Sequence, residues 1–414
     1  MEIMSYMPAL KRVRNLLPSI QWVNQSPPVV ELMTHFMPYF QPIVDIPSGR
    51  IRGYEALARE RLSTGKILSC GRFFADATID KEFLLALDRH VRRLAIQAVS
   101  KMPDDTFLTL NISPEWIDLL SLGDASPTVE MLKEYNVDPR RIIIEITETE
   151  GNLEAIQHLV RQYRAAGMRI AIDDFGAGYS ELGRLVALEP DILKIDMRFF
   201  KSAVAGGIAQ DAVKAIGFMA ERIGCDIICE GVENDQEFNF AVDCGATLIQ
   251  GFLFYQAMPE FSPPEDSKAL VSKLLAGFRK QKVALEKSNI EHYRAIFQHA
   301  CHVRDMWQAQ KGPGPLPEVP EGFIRFYICN FEGEQLTPNY IYDQGEWRRD
   351  PSALGMNWSG RPFLHQVLAL ENLVDRTEFT TRPYRDRISG KLFKTIGLTI
   401  PDERILFVDY EFLF

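Results

Sequence analysis

The 414-residue sequence lacks the features that identify several large classes of protein. It has no run near the roughly 20 apolar residues that a membrane-spanning helix needs, so we expect no membrane span. Its 46 Lys and Arg residues are outnumbered by 56 Asp and Glu residues, and the net charge of −10 argues against nucleic acid as a partner. The N-terminal segment carries Lys11, Arg12 and Arg14 but no sustained apolar core, which predicts a cytoplasmic protein without a signal peptide.

The sequence also has little of the chemistry that binds zinc or forms disulfides. Its six cysteines include no Cys-x-x-Cys pair and no zinc-like pairing with histidine. Cys225 and Cys229 flank an apolar segment, so we interpret both as buried free thiols of a core strand. His299 and His302 could meet on one helix face as metal ligands, but no third partner is nearby, and a solvated helix face is favoured.

The sequence does contain a repeated alternation of apolar strands and helical patterns. Helical patterns such as 153–166 and 211–223 lie between the strands, and this order predicts a parallel sheet with right-handed crossovers. So many units fit a closed barrel better than an open sheet. The segments 39–45 and 51–57 flank the turn Pro47-Ser-Gly49, which predicts an antiparallel hairpin at the start. We therefore predict a TIM-like (β/α)8 barrel with one antiparallel strand. After the hairpin, its predicted strands are 107–112, 141–146, 170–172, 192–195, 226–229 and 247–250.

One stretch of the predicted barrel, residues 170–180, joins a strand to two adjacent carboxylates and two glycines. Asp173 and Asp174 would lie where the buried strand gives way to a loop. Gly176 and Gly178 permit a tight or left-handed path there. Taken alone, this pattern is as typical of a strand that ends in a turn as it is of a functional site.

Polar residues lie within or at the end of most of the predicted barrel strands. A carboxylate in such a place costs several kcal/mol unless it is paired, hydrogen-bonded or bound to metal. The carboxyl ends of barrel strands meet at the mouth where barrel active sites lie, so we expect these residues to form one site. Oxygen donors without Cys or His favour Mg²⁺ or Mn²⁺ over zinc. The residues are Asn111, Glu145, Asp173, Lys194, Glu230 and Gln250.

These residues carry a resemblance to a known family. The segment from Gly53 to Arg59, which contains Glu55-Ala-Leu57, is similar to the signature of the EAL family of cyclic di-GMP phosphodiesterases. Further motifs of that family follow in order, so the resemblance covers residues 36–260. They are Asn111-Ile-Ser113, Glu145-Ile-Thr-Glu148, Asp173-Asp-Phe-Gly-Ala-Gly-Tyr-Ser180, Lys194-Ile-Asp196, Glu230-Gly-Val-Glu233 and Gln250-Gly251.

The resemblance implies two metal ions, Mg²⁺ or Mn²⁺, at the barrel mouth. One ion would be held by the four residues Glu55, Asn111, Glu145 and Asp173. Asp173 would bridge to a second ion held with Asp174, and Glu230 is also a candidate ligand. Ala177 stands where many relatives carry Thr, which leaves open how the loop holds the second ion.

The resemblance also implies the catalytic roles and the reaction. Glu230 would be the general base that activates water, and Lys194 would orient that water or stabilise charge on the phosphate. Alternatively, Lys194 is a structural lysine of the core whose charge is paired with Asp196 or Glu230. The reaction would be hydrolysis of one phosphodiester of cyclic di-GMP to linear 5′-pGpG, and the family implies a homodimer.

Substrate contacts and supporting residues follow from the same resemblance. Arg59 would pair with a phosphate oxygen, and Leu57 would line a guanine pocket. Glu148 would brace the loop 173–180, and Glu233 would support the ligands. The expected substrate-binding residues are Gln41, Leu57, Arg59, Asp196 and Gln250.

The composition divides the chain into four predicted segments. These are an N-terminal helical arm (1–35), the barrel (36–262), a helical linker (263–311) and a C-terminal α+β domain (312–414) that resembles a PAS- or Cache-like sensor. The linker either packs back on the barrel or forms a dimeric stalk. Aromatic and basic residues of the last domain could bind a small anionic ligand, although an interaction domain is favoured. They include Trp347, Trp358, Arg361, Tyr384 and Arg385.

Two other functions remain open at this point. The chain could be a catalytically silent receptor that binds cyclic di-GMP and signals through its C-terminal domain. Degenerate receptors usually lack several ligands, and none is missing here, which favours the enzyme. A metal-dependent barrel lyase or aldolase would explain the carboxylates but not the ordered motifs.

Overall fold

The structure of the chain is a computed structural model. It describes residues 33–74, 76, 79–112, 126–147, 152–178, 182–310, 319–343, 345–374, 378–386 and 390–412. Nearly all of the expected N-terminal arm, 1–35, therefore lies outside the described residues. The chain divides into two compact units, Met1–Phe278 and Arg279–Phe414. No helix in the described part of the chain is long and apolar enough to cross a membrane.

The first unit is built on a closed barrel. Strands β1 and β2 pair antiparallel, β1 also pairs antiparallel with β9, and the remaining barrel strands run parallel. The short β3 adds to β2 as an extra antiparallel strand. The predicted TIM-like barrel with one antiparallel strand is therefore confirmed. The strands are β1 Phe36–Asp45, β2 Ile51–Arg61, β3 Ile67–Ser69, β4 Phe107–Ile112, β5 Ile142–Thr147, β6 Arg169–Phe175, β7 Ile192–Ile195, β8 Asp226–Cys229 and β9 Leu248–Ile249.

Helices cover the outside of the barrel, and several of them begin at a side-chain cap. In Leu153–Ala166 the Asn152 side chain accepts hydrogen bonds from two backbone N–H groups, and Gly167 ends the helix in a left-handed conformation (φ 100°). One face of this helix, including Leu159 and Tyr163, is buried against the barrel. The described helices of the unit are Gly71–Phe74, Lys81–Ala98, Pro127–Glu134, Leu153–Ala166, Leu182–Leu188, Met197–Val204, Gly207–Ile223 and Asp235–Asp243.

The second unit is an antiparallel sheet in the order β12-β11-β10-β16-β15-β13, with β14 paired to β15. The expected α+β character is confirmed. The helix Pro362–Val374 and the strands β11, β13 and β14 were not predicted from the sequence. The strands are β10 Phe323–Asn330, β11 Asn339–Asp343, β12 Glu346–Asp350, β13 Glu378–Thr380, β14 Tyr384–Arg385, β15 Leu392–Ile400 and β16 Arg404–Glu411.

A single helix, Lys268–Gln310, contains residues of both units. Val271 and Leu274 belong to the core of the barrel unit. Ile296, Ala300 and Val303 are buried in the core of the C-terminal sheet. The sheet of the C-terminal unit therefore covers this part of the helix.

His299 corrects the expectation of a solvated helix face. Its ring packs edge-to-face on Phe323, with centroids 5.0 Å apart, and the residue is only 8% exposed. Burial, together with the nearby His302, lowers the pKa of His299 to about 4. Cys225 and Cys229 are buried free thiols, as expected.

Candidate active site

A buried apolar layer inside the barrel fixes where the polar side chains lie. Side chains two residues apart on a strand point to the same side. Glu145, Asp173, Lys194 and Glu230 each follow a member of the layer by two residues, so all four lie above it on the inner face. Its members are Ile43, Phe107, Ile143, Ala171, Ile192, Ile228 and Leu248.

Glu55 on β2 is held by two amides from other strands. Asn111 Nδ2 donates to Glu55 Oε1 at 2.8 Å, and Gln250 Nε2 donates to Glu55 Oε2 at 2.7 Å. Burial would raise the pKa of Glu55, but the charge of Lys194 and these two hydrogen bonds lower it below its ordinary value. Glu55 is therefore an ionised, oriented carboxylate.

Lys194 lies at the centre of four carboxylates and is 1% exposed. Its Nζ is 2.7 Å from Glu230 Oε1, 3.0 Å from both Glu145 Oε2 and Asp173 Oδ1, and 3.5 Å from Glu55 Oε2. If Lys194 were only a structural core lysine, its expected partner was Asp196 or Glu230, and Glu230 is the one in contact with it. The other three carboxylates show that Lys194 joins the whole cluster.

The cluster holds more negative charge than one lysine can balance. Burial would lower the pKa of Lys194, but the charges of Asp173, Glu145 and Glu230 raise it well above its ordinary value.

The pKa values of three acids in the cluster are raised as well. Burial raises the pKa of Glu145 well above its ordinary value, that of Glu230 to about 8, and that of Asp174 to about 6. The positive charge of Lys194 lowers each of these pKa values, whereas the negative charges of neighbouring carboxylates raise them further. The cluster would therefore be stabilised by additional cations.

The donors fit divalent metal ions that prefer oxygen. Glu55, Glu145 and Asp173 each place a carboxylate oxygen within 4.8 Å of the others, and Asp173, Asp174 and Glu230 do the same. Glu145 Oε1 is buried and accepts no hydrogen bond from any described residue. A carboxyl oxygen without a hydrogen bond, in a set of carboxyl groups and one amide, suits Mg²⁺ or Mn²⁺.

The turn after β6 orients Asp174. Asp174 has a φ of 55° and Gly176 a φ of 95°, both in the left-handed region. A Cβ atom at Gly176 would lie 2.3 Å from Phe199 Cδ1, so only glycine fits both the conformation and the space. The chain thereby turns sharply while Asp173 stays buried and Asp174 remains at the rim.

A cavity of about 560 Å³ opens above the cluster. It brings together most of the residues expected at the active site. Expected residues that line it are Gln41, Glu55, Leu57, Asp173, Asp174, Asp196, Glu230, Glu233 and Gln250.

Arg59 lies in an adjoining cavity of about 240 Å³, which Leu57 and Asn111 also line. Its guanidinium donates to the carbonyl of Ala58 at 3.0 Å. Burial lowers the pKa of Arg59 below its ordinary value, against the charges of Cys70 and Glu55. Leu57, which lines both cavities, separates Arg59 from the acidic cluster.

The expected supporting residues act through the elements around the cavity. Asp196 Oδ1 accepts the backbone N–H groups of Arg198 and Phe199, so Asp196 caps the helix Met197–Val204. Lys201 on that helix binds Glu233 at 3.2 Å and Glu237 at 2.6 Å. Glu148 lies outside the described residues.

Three lining residues were missed by the sequence reasoning. Met197, Arg198 and Phe252 face the larger cavity, and all three are exposed. Phe252 follows the Gln250-Gly251 motif, and Arg198 follows Asp196 by two positions. Their closeness to those motifs was the signal available in the sequence.

The comparisons with known proteins agree with this geometry. Residues 32–257 match the EAL domain family, which is more than half of the chain. The chain belongs to the EAL-domain family. Residues 317–414 match a second family, described as an EAL-domain associated signalling protein domain.

Three relatives illustrate how far the similarity of this EAL-domain chain extends. It is 29% identical over 397 residues to the uncharacterized EAL-domain containing protein YkuI of Bacillus subtilis, covering 91% of this chain and 95% of YkuI. It is 28% identical over 234 residues to the cyclic di-GMP phosphodiesterase RocR of Pseudomonas aeruginosa. It is also 30% identical over 233 residues to the probable cyclic di-GMP phosphodiesterase PdeB of Escherichia coli. The chain spans 58% of RocR and 42% of PdeB.

A solved structure is similar over nearly the whole chain. It is the crystal structure of Bacillus subtilis YkuI in complex with substrate c-di-GMP and calcium. The TM-score is 0.80 at 27% identity, and the match covers 93% of this chain and 98% of YkuI. Both units therefore have counterparts in YkuI.

Proposed function

We propose that this chain is a metal-dependent phosphodiesterase that hydrolyses cyclic di-GMP to linear 5′-pGpG. The observation that carries the proposal is the buried cluster at the barrel mouth. In it Lys194 contacts Glu55, Glu145, Asp173 and Glu230 beneath an open cavity. The kinship with RocR and with ligand-bound YkuI supports cyclic di-GMP as the substrate.

Two sets of oxygen donors would hold the metal ions. Glu55, Asn111, Glu145 and Asp173 would hold one, and Asp173, Asp174 and Glu230 would hold the other. Bound Mg²⁺ or Mn²⁺ supplies positive charge for the phosphate and lowers the pKa of a bound water. YkuI with calcium supports a divalent-cation site in a protein of this fold.

Glu230 is the proposed general base. Its Oε1 is close to Lys194, whose positive charge favours the ionised carboxylate that accepts a proton. As the water oxygen attacks phosphorus, Glu230 accepts the water proton, and the bond from phosphorus to the 3′-oxygen breaks. The leaving 3′-oxygen takes up a proton from solvent and becomes the 3′-hydroxyl of 5′-pGpG. Lys194 holds the Glu230 carboxylate in place and adds positive charge beside the reacting phosphate.

The cavity walls would bind the rest of the substrate. We propose that Gln41, Asp196 and Gln250 contact it within the larger cavity. Leu57 would line a guanine pocket where the two cavities meet, and Arg59 would reach a phosphate oxygen from the smaller one. Glu233, held by Lys201, would steady the segment that follows Glu230.

The C-terminal unit is the proposed regulatory part of the chain. Its match to an EAL-associated signalling domain supports a role in sensing or in protein interaction. Trp347 and Trp358 belong to different apolar clusters. The hydroxyl of Tyr384 donates a hydrogen bond to Asp409. A ligand pocket formed jointly by the candidate aromatic and basic residues is thus not supported. We retain a homodimer and a cytoplasmic location as predictions.

One assay tests the proposal and separates it from a silent receptor. Pure protein is incubated with cyclic di-GMP and Mg²⁺ or Mn²⁺, and the products are separated by chromatography. Formation of 5′-pGpG that stops when a chelator is added is the expected result. Binding of cyclic di-GMP without any product would overturn the enzyme and favour the receptor.

A further inference from the structure

We propose that Arg198 recognises the O6 and N7 edge of one guanine of cyclic di-GMP and so determines the base specificity of the site. This inference rests on the proposed function, because it assigns a role within the same cavity. Arg198 belongs to neither the metal-binding set nor the expected substrate contacts. Its place in the cavity wall makes it a specificity residue rather than a catalytic one.

Charge favours this role for Arg198. Among the described residues that line the larger cavity, Arg198 is the one with a cationic side chain, and six of the others are carboxylates. The structure gives the exposed Arg198 guanidinium no carboxylate partner among the described residues. An arginine kept at the rim of an acidic cavity without an ion pair has its donors available for a ligand.

The position of Arg198 also favours this role. Arg198 lies in the first turn of the helix Met197–Val204, whose start is fixed by the Asp196 cap. The backbone N–H of Arg198 donates to Asp196 Oδ1 at 3.0 Å, which sets the direction in which its side chain leaves the helix. Arg198, which lines the cavity, is therefore attached to a defined backbone, as a specificity contact requires.

The hydrogen-bonding groups of Arg198 and Asp196 complement those of guanine. The planar arginine fork donates two parallel hydrogen bonds to guanine O6 and N7, a pattern that adenine lacks because it carries an amino group in place of O6. Asp196 Oδ2 is not used in the helix cap and can accept from the N–H groups of guanine. Phe252, 61% exposed on the same cavity wall, offers a ring on which a base can stack.

A phosphate contact is the competing role for Arg198, and the side-chain chemistry separates the two. Lysine keeps the charge but loses the planar fork, so Arg198→Lys would retain much of a phosphate contact and little of a guanine contact. Cyclic di-AMP carries the same phosphates and sugars with a different base. Loss of a guanine contact should therefore affect cyclic di-GMP alone.

The experiment measures binding by calorimetry in Ca²⁺, with hydrolysis in Mn²⁺ followed separately. Wild type, Arg198→Ala and Arg198→Lys are titrated with cyclic di-GMP and with cyclic di-AMP. Arg222→Ala, an exposed arginine of another helix, is the matched control. We expect both Arg198 variants to bind cyclic di-GMP about 10- to 100-fold more weakly, which corresponds to the loss of one bidentate base contact. Affinity for cyclic di-AMP should change by less than about threefold.

Three results would overturn the inference. They are unchanged affinity of Arg198→Ala for cyclic di-GMP, equal losses for both dinucleotides, and near-wild-type binding by Arg198→Lys. Circular dichroism of each variant confirms that the fold is retained. Failure of wild type to bind or hydrolyse cyclic di-GMP would instead reject the proposed function, so the two failures are distinct.

Discussion

The ammonium nitrogen of Lys194 lies 2.7 Å from Oε1 of Glu230. The two residues come from adjacent strands, since β7 pairs in parallel with β8 and Glu230 directly follows β8. This contact places the proposed base beside the cation at the centre of the acidic cluster. The same contact therefore stabilises the cluster and positions the proposed base.

Replacing Lys194 by Met should increase the dependence of stability on metal ions. The variant leaves four carboxylates together without their cation, and breaking such a buried network costs about 3–5 kcal/mol. Divalent ions would restore positive charge, so Mn²⁺ should raise Tm more in Lys194→Met than in wild type. Thermal unfolding with Mn²⁺ and with a chelator measures this. Lys214→Met, which removes a contact to Asp243, is the control, and equal Mn²⁺ shifts in all three proteins would contradict the prediction.

Gly176→Ala should destabilise the protein by about 1–3 kcal/mol and reduce activity. The residue has φ 95°, and the added Cβ would meet the Phe199 ring. Relief of this contact would displace the turn that carries Asp174. Gly183→Ala is the matched control, because a Cβ there meets nothing within 4 Å and the site is helical. Equal unfolding midpoints in denaturant for the two variants would argue against the strain assigned to Gly176.

Lys201→Ala should lower kcat by roughly tenfold with little change in KM. Lys201 ties Glu233 and Glu237 together, and the Glu233 N–H also donates to Glu237 Oε2 at 2.7 Å. Without this tie the segment after Glu230 would hold the base less firmly, and a small displacement of a catalytic group is costly. Steady-state kinetics provide the test, with Lys133→Ala as an exposed-pair control. Activity should return in Lys201→Arg; a change in KM alone would contradict a positioning role.

Acidification should weaken the C-terminal unit through His299. Its folded pKa of about 4 lies below the ordinary 6.5, so the unfolded chain binds the proton more readily between these values. Its contribution to stability is therefore lost as pH falls from about 6.5 to about 4, in total about 3 kcal/mol for a buried ring. Tryptophan-monitored denaturation of wild type and His299→Leu across this range measures the difference. A wild-type curve parallel to that of His299→Leu would rule out this contribution.

The barrel could be predicted because its strands are buried on both faces. Segments such as Ile142–Thr147 and Ile192–Ile195 are therefore mostly apolar runs that the sequence displays directly, with Glu145 and Lys194 as their charged members. The carboxyl ends of parallel barrel strands lie at one mouth of the barrel, so the polar residues near those ends were expected to lie together. Glu145 and Lys194, which are in contact at 3.0 Å, show this convergence.

Features that depend on distant partners could not be predicted in the same way. The short strand Glu378–Thr380 has three residues and exists through its pairing with β15. His299 is buried because Phe323 packs against it, and no local pattern contains that contact. The direction of Arg59 into the smaller cavity likewise depends on how β2, β3 and the helix Lys81–Ala98 enclose it.

The Glu230→Gln variant provides the most direct test of the central claim. Product formation from cyclic di-GMP in Mn²⁺ and binding in Ca²⁺ are measured for wild type and variant side by side. We expect wild type to release 5′-pGpG, and Glu230→Gln to be slower by about 10²–10⁴-fold while its affinity changes by less than about threefold. Turnover by Glu230→Gln near the wild-type rate would contradict Glu230 as the base, and absence of product from wild type that binds the nucleotide would contradict the enzyme itself.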